Sequence, residues 1–576
     1  MNLPYHTSQS QEVASHCASV VLSYIVKRQF SDAILVGGGT NSLGFYYDFI
    51  FSQSLADHLL EMIEVEFRTF IKENHEFRMV SMMRENAASF FEHQDHPLLA
   101  ESIVNERENI LSFLQLNQFF GVCPPNELTQ TQEIGAVKIL GKETYFSFLG
   151  QQNVQVTRLI GVVRENPQNL KIFNKAYDQF VKKRDHRVLG KQLNLFQVPV
   201  NQKNVETTWY SKGMCLKKIL EDWVFCGSGE ENFWIQTPRF TLKQKKSYGD
   251  LGPIFEEEEN IYEWVRSLTP EHLKFFERDD INRLKVKGKS LGERALLYGE
   301  YSEAKRWGLL CSTFYHTTQT TRICSKEQLQ SKLISSLHFI EQIATIFGFE
   351  AYWVLVITRQ KTPKAKKEFE AIDCLKRAFR SSAFQFPLEE EIEESEKEIE
   401  GPRFELRIRD TIQRNWTVSS LGIVKHLAHF SSANNDGEKL IVIAESIWNS
   451  LDRYIALLIE KYEGVLPFWL APEQVRILVV GEVNLTYAQR VQHQMQEKGL
   501  RVEIDVGQEK LGMKIHEAEK EKVPYMILIG EQEARREKIS VRSIHRKAES
   551  QLIELGPFLD KLYQESLRPQ IQRQQC

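Results

Sequence analysis

Phe468-Trp469-Leu470-Ala471-Pro472-Glu473-Gln474-Val475-Arg476, followed on to Lys522-Val523-Pro524-Tyr525-Met526, decides the fold of this chain. The apolar run Ile477 to Val480 predicts a strand, and the polar, helix-periodic stretch behind it ends near Gly499. Arg501 to Val506 predicts a second strand, Lys510 to Lys522 a helix, and Met526 to Gly530 a third strand. A parallel pair needs a crossover of about a dozen residues, so strands alternating with helices of this length predict a small parallel-sheet α/β unit.

Outward from that unit, 576 residues leave room for several ordinary cores. Residues 1–166 mix a helix (Ser15 to Lys27) with strand-like pieces at Ile34 to Val36 and Gly44 to Phe49, an α+β pattern. Residues 167–199 hold a charged, helix-periodic linker, Pro167 to Gly190, stopped by glycine. Residues 200–466 form the largest block, with strand signals such as Ala351 to Ile357, and residues 467–576 close the chain. Within the large block, the basic Lys361 to Lys367 and the acidic Glu389 to Glu400 read as solvated loops or insertions.

Composition narrows the class. Apolar content of 42% and charged content of 26% describe a soluble globular protein. The net charge of −4 gives no whole-chain attraction to nucleic acid, so such binding needs local basic surface. Met1 to His6 lacks the start of a secretory signal, and no apolar run spans a bilayer, which excludes a membrane protein. Eight scattered cysteines without a C-x-x-C pair suit a reducing cytoplasm and argue against a thiolate metal knot.

The closing unit resembles the anticodon-binding domain of threonyl-tRNA synthetases. Lys182-Lys183-Arg184-Asp185-His186-Arg187-Val188-Leu189-Gly190 is similar to their junction between editing and catalytic domains. Gly44 to Phe49 resembles part of their editing domain; Asp410 to Trp416 and Ser450 to Ile455 resemble pieces of the class II catalytic core. The resemblance implies an editing-like α+β domain, an antiparallel-sheet catalytic domain and an α/β anticodon-binding domain. The family's opening ubiquitin-like module has no room before residue 10. The family ligates threonine to its tRNA with ATP and magnesium, and it dimerises through a segment matching Trp209 to Pro238. A homodimer and a tRNA partner, not DNA, are therefore expected.

The catalytic pattern departs from the family. Attack of a carboxylate on the α-phosphate of ATP develops charge that a preorganised cation must meet, and the family supplies an arginine. The matching stretch, Leu297 to Glu303, holds none; Lys305 and Arg306 follow it in what should be a loop. The next strand places Thr317 and Gln319 where the family has glutamine and aspartate. Arg453 remains as the third-motif arginine, with Asn449 in place of a glycine before it. The family's zinc ligands, one cysteine and two histidines, fall at Thr269, Thr321 and Ala444, so no zinc is expected there. Residues enclosing threonine and adenylate fall at Thr417, Val418 and Gly422, and a tyrosine becomes Glu400. His316, Cys311 and Cys324 lie close by in sequence, either as a different site or as ordinary strand residues.

The family's editing site joins an H-x-x-x-H helix to a C-x-x-x-H turn. Here Glu12 to His16 and Cys123 to Glu127 match, keeping His16 and Cys123 and replacing two histidines by glutamate. His6 is an alternative first histidine. These residues are read either as a hydrolytic remnant or as plain helix and turn positions. In the closing unit, Gln508 and Arg542 supply the amide and guanidinium that base edges require, with Lys510 for phosphate. Lys514, Arg535, Arg536, Arg546 and Lys547 are further phosphate candidates, interleaved with glutamates. Three functions compete: threonine ligation by an altered site, a tRNA-binding paralogue with weak or no ligase activity, and hydrolysis of mischarged tRNA.

Overall fold

The computed structural model describes residues 9–573 apart from 95, 105–108, 127, 150–151, 199–206, 230–231, 243–250, 258–259, 266, 277–289, 300–306, 360–364, 395–400 and 425–440. His6, Glu127, Lys305, Arg306 and Glu400 lie outside the described residues.

Helix Gln9–Gln29 packs on a four-stranded antiparallel sheet whose order is Ile34–Thr40, Phe45–Ile50, Gln152–Arg164, Ala136–Leu149. Alternation in Phe45-Tyr46-Tyr47-Asp48-Phe49 sends the Phe45, Tyr47 and Phe49 rings into one apolar core with Ile63 and Phe67 of helix Asp57–Glu73. Asp48 is buried on the other face and receives Arg158 Nε and Nη2 at 2.8 Å each, a two-point ion pair. A smaller sheet, Arg78–Met83, Ile110–Leu116 and Phe119–Val122, carries its own short helices.

The linker is two helices rather than one. Asn166 caps Pro167–Lys183, and the helix ends at Arg184 because Asp185 starts a new one by accepting the Arg187 N–H. His186, fully buried, then ties this linker to the central domain. Its Nε2 accepts the Leu309 N–H at 3.1 Å, so Nδ1 carries the proton and donates to Glu460 at 2.6 Å. Arg187 lies 3.8 Å from the Trp307 ring. The basic run before it is thus a docking element as well as a solvated face.

The central sheet has eight strands in the order Asn232–Trp234, Ser290–Tyr298, Phe314–Cys324, Ile441–Trp448, Asn415–Ile423, Arg403–Arg409, Ala351–Arg359, Leu388–Glu394. Pairing is antiparallel in the middle and parallel at both outer pairs. Helices Lys326–Ile346 and Leu451–Lys461 cover one face, where Trp353, Leu355, Leu406 and Ile447 join one core with Leu333, Leu337 and Tyr454. The acidic run is not a loop through Glu394. It is an edge strand, because Glu391, Glu393 and Glu389 meet Arg407, Arg403 and Arg409 at 2.6, 2.8 and 3.8 Å. Likewise helix Ala365–Arg380 begins inside the basic stretch, whose first residues, 361–364, lie outside the described ones.

The closing unit has strand order Val502–Asp505, Val475–Val479, Tyr525–Ile529, Ile539–Ser543, Arg546–Ile553. The first three are parallel, as expected; the last two add an antiparallel hairpin that the parallel reading lacks. It docks on helix Ser211–Gly227 through Trp469 against Trp223, and through Lys212 held by Glu473 and Glu521 at 2.5 and 2.8 Å.

Candidate functional site

Arg453 stands in the first turn of helix Leu451–Lys461, whose N-terminus Ser450 caps. It is 9% exposed. Its Nε donates to Leu310 O at 2.8 Å and its Nη1 to Thr417 O at 2.7 Å, with Trp416 beside it at 5.6 Å. Two of its donor groups therefore serve the backbone. Asp452, next to it, accepts the His316 N–H at 2.6 Å and Lys217 Nζ at 2.6 Å. Burial works to raise this carboxyl, yet His316 and Lys217 outweigh it and hold the group below the usual aspartate range. His316 is committed to that cluster, while Cys311 and Cys324 are buried in the apolar core. Burial pushes the Cys324 thiol up to about 11. The three do not converge on one site.

Of the positions matched to zinc ligands, Thr321 and Ala444 are on neighbouring strands of the sheet and Thr269 opens the helix Thr269–Phe276. Thr321 lies across from Ala444 in the strand register. Thr269 Oγ1 accepts from Gln319 Nε2 at 2.8 Å. Thr321 Oγ1 meets His272 Nδ1 at 2.8 Å, and His272 Nε2 meets Glu293 Oε2 at 3.0 Å. A carboxylate only accepts, so Nε2 carries a proton and donates to Glu293, while Nδ1 shares its hydrogen bond with the Thr321 hydroxyl. Thr237 donates through N and Oγ1 to Glu293, and Arg239 pairs with it. Burial opposes ionisation of Glu293, but His272, Thr237 and Arg239 prevail and hold its carboxyl below the usual range. His272, Thr321 and Glu293 are all fully buried. Two hydroxyls and a methyl, with both hydroxyls already bonded, do not fit a zinc ion. His272 and Glu293 escape a sequence reading because they lie on separate elements, a single His and a single Glu without motif spacing.

In the N-terminal domain the structure does not bring His16 and Cys123 into contact. His16 points toward Thr40, 3.5 Å from Oγ1. Cys123 is 1% exposed, and Asn126 Nδ2 lies 3.3 Å from its sulfur. Its thiol partner is Cys17, one residue on from His16, and hydrogen bonding to Cys123 with burial raises the Cys17 thiol far above its ordinary value. Cys123 is thus enclosed against a second thiol, away from solvent, which is poor placement for a nucleophile.

In the closing unit, Gln508 and Lys510 are exposed where strand Val502–Asp505 runs out toward helix Leu511–Lys520. Arg542 sits at the far end of that helix, paired with Glu519 at 2.7 Å. About 13 Å of helix separates Lys510 from Glu519, so the three do not form one cluster. Lys514 is corrected: it is 2% exposed and spends its ammonium on Val479 O, Asp505 O and the Asp505 carboxylate, not on phosphate. The sequence reading also missed an apolar rim at the carboxyl ends of the parallel strands. Val480, Val483, Val506 and Met513 are exposed there, Val483 at 93%. Open α/β sheets bind ligands at this edge.

An eight-stranded, mainly antiparallel sheet with helices on one face, followed by this α/β unit, defines the class: class II aminoacyl-tRNA synthetase architecture. A family profile described as anticodon binding domain matches residues 474–565. Threonine–tRNA ligase of Clostridium tetani is 28% identical over 594 residues, covering 97% of this chain and 89% of the relative. That of Clostridium novyi is 28% identical over 574 residues, covering 94% and 86%. Among solved structures, the RNA binding domain of threonyl-tRNA synthetase from Cryptosporidium parvum aligns with TM-score 0.59 at 23% identity, over 67% of this chain and 100% of that one. A threonyl-tRNA synthetase structure from Aeropyrum pernix aligns with TM-score 0.54 at 15% identity, over 67% and 98%; both support the fold. Over nearly its whole length the chain is similar to threonine–tRNA ligases, and its closing unit matches an anticodon binding domain.

Proposed function

We propose that this protein is a tRNA-binding member of its family with weak or no threonine ligase activity, working in the cytoplasm as a homodimer. The observation that carries this reading is the filled state of the central site. Thr269 and Thr321 close internal hydrogen bonds with Gln319 and with the buried His272–Glu293 pair, where threonine recognition would require open metal positions. Arg453, the arginine kept from the family's catalytic set, has its Nε and Nη1 held by main-chain carbonyls rather than presented to a developing phosphate charge. The editing remnant is disfavoured as an alternative, since Cys123 is buried against Cys17.

Support for RNA contact comes from the anticodon-binding profile and from exposed Gln508 and Lys510 beside an apolar rim suited to unstacked bases. For the dimer, helix Ser211–Gly227 leaves Met214 and Phe225 51% and 42% exposed in the segment the family uses. Filter binding of tRNA to the full chain and to a chain ending at Pro467 tests the RNA reading. Loss of most affinity on truncation is expected; undiminished affinity overturns it.

A further inference from the structure

The linker and Arg453 are joined by a short hydrogen-bonded path. From linker helix His186–Gln192, the His186 ring reaches Glu460 on helix Leu451–Lys461 and the Leu309 N–H on the helical turn Gly308–Cys311. The next carbonyl of that turn, Leu310 O, accepts Arg453 Nε at 2.8 Å. Two residues of backbone therefore separate the linker ring from the guanidinium. His186, Leu309 and Leu310 are all fully buried, so no water competes for these bonds.

The turn is moulded to the linker. Gly308 has a φ of +53°, and a Cβ there would collide with His186 Nε2 and stand 2.9 Å from Arg187 Cγ. A side chain at 308 would thus push the ring off Leu309. Arg187, the next linker residue, lies 3.8 Å from the ring of Trp307, which opens the turn and accepts the Leu310 N–H at its carbonyl. Two consecutive linker residues thereby fix the segment on which Arg453 rests. With the segment in place, Arg453 spends Nε on Leu310 O and Nη1 on Thr417 O. With it withdrawn, Nε would be left to an oxyanion, and a guanidinium forms stronger, charge-assisted bonds to phosphate than to a carbonyl.

We propose that His186 is a positioning residue that couples docking of the linker to the availability of Arg453 for a phosphate-bearing anion. While Nε2 holds Leu309, the turn stays under Arg453 and Nε stays on Leu310 O. When that tie is cut, the turn loosens and the guanidinium is released. The inference rests on the reading of Arg453 as held by carbonyls, and it gives the linker the task of holding it. Apparent affinity scales with the fraction of chains in the competent state, so losing one neutral hydrogen bond should raise it about three- to tenfold.

Amide side chains separate the two ring nitrogens, since the Asn amide reaches to where Nδ1 stands and the Gln amide to where Nε2 stands. His186→Asn keeps a donor for Glu460 and drops the Leu309 acceptor; His186→Gln keeps that acceptor and drops the donor. Titration calorimetry of inorganic pyrophosphate into the full chain reads the effect. His186→Asn should bind about three- to tenfold more tightly than the unmodified chain, and His186→Gln should match the unmodified chain. Gly308→Ala breaks the same tie from the opposite side and should reproduce the gain; it decides if His186→Asn does not fold. Adding Arg453→Ala to either variant should remove the gain, which a general loosening would leave in place. No gain in His186→Asn and Gly308→Ala, an equal gain in His186→Gln, or a gain that persists without Arg453 overturns the proposal. Threonine-dependent exchange by the unmodified chain would instead overturn the functional reading, which this comparison of variants by binding does not measure.

Discussion

Replacing His272 by alanine tests whether the buried chain Thr321–His272–Glu293 carries the central sheet. The ring makes one hydrogen bond to a carboxylate at 3.0 Å and one to a hydroxyl at 2.8 Å, both with no solvent to replace them. The first is worth about 1.5–3 kcal/mol and the second about 1 kcal/mol, and a ring-sized void adds to both. Glu293 keeps Thr237 and Arg239, which limits the damage to its charge. The expected cost is therefore about 3–5 kcal/mol. At about 2–4 °C per kcal/mol for a domain of this size, the midpoint of thermal unfolding should fall by roughly 6–20 °C. Differential scanning fluorimetry reads the change, and a double-mutant cycle with Glu293→Gln should show a coupling above about 1 kcal/mol. A fall of less than about 2 °C, or additive effects, would refute the reasoning.

Three further outcomes follow from the same geometry. Glu293 and Asp452 both have carboxyls held below their ordinary range, so their stabilisation is complete above the unfolded value of about 4. It is lost as pH falls through the lower folded value, and Asp452→Asn should flatten that acid limb in a pH series of melting curves. The C-terminal tail straps the closing unit to the central domain: Trp223 Nε1 donates to Pro569 O at 2.7 Å, and Arg573 pairs with buried Glu445 at 2.6 Å. Ending the chain at Leu567 should lower stability by about 2–4 kcal/mol, since Glu445 would keep Arg322 but lose its second cation; an unchanged melting curve contradicts this. Lys212→Glu places a like charge between Glu473 and Glu521 and should loosen the closing unit, read as a larger radius of gyration in small-angle scattering; an unchanged radius argues that Trp469 packing alone holds the interface.

What was legible in the sequence was what periodicity and punctuation carry. The strands at Val475–Val479, apolar but for Arg476, and Tyr525–Ile529, apolar between Pro524 and Gly530, appear where expected. The hairpin strand Arg546–Ile553 is polar and edge-placed, so no alternation marks it. Leu388–Glu394 was unreadable for a different reason. Glutamate is a poor strand former, and its carboxylates here meet Arg403, Arg407 and Arg409, which stand one strand beyond its partner Ala351–Arg359, a long-range fact absent from local pattern. Asp185 breaks the linker helix by capping the next one, a choice settled by the buried His186–Glu460 contact 274 residues apart. In the site, the missing ligand types at Thr269, Thr321 and Ala444 could be read directly from residue identity. The His272–Glu293 pair could not, nor could the burial of Lys514, because each depends on which face a neighbouring element covers.

Threonine-dependent pyrophosphate exchange, run beside an authentic threonine–tRNA ligase at equal enzyme concentration, addresses the central claim most directly. With Thr269 and Thr321 closed into internal hydrogen bonds and Arg453 held by carbonyls, exchange should stay at the no-amino-acid background. Threonine-dependent exchange at the rate of the control enzyme would contradict the account.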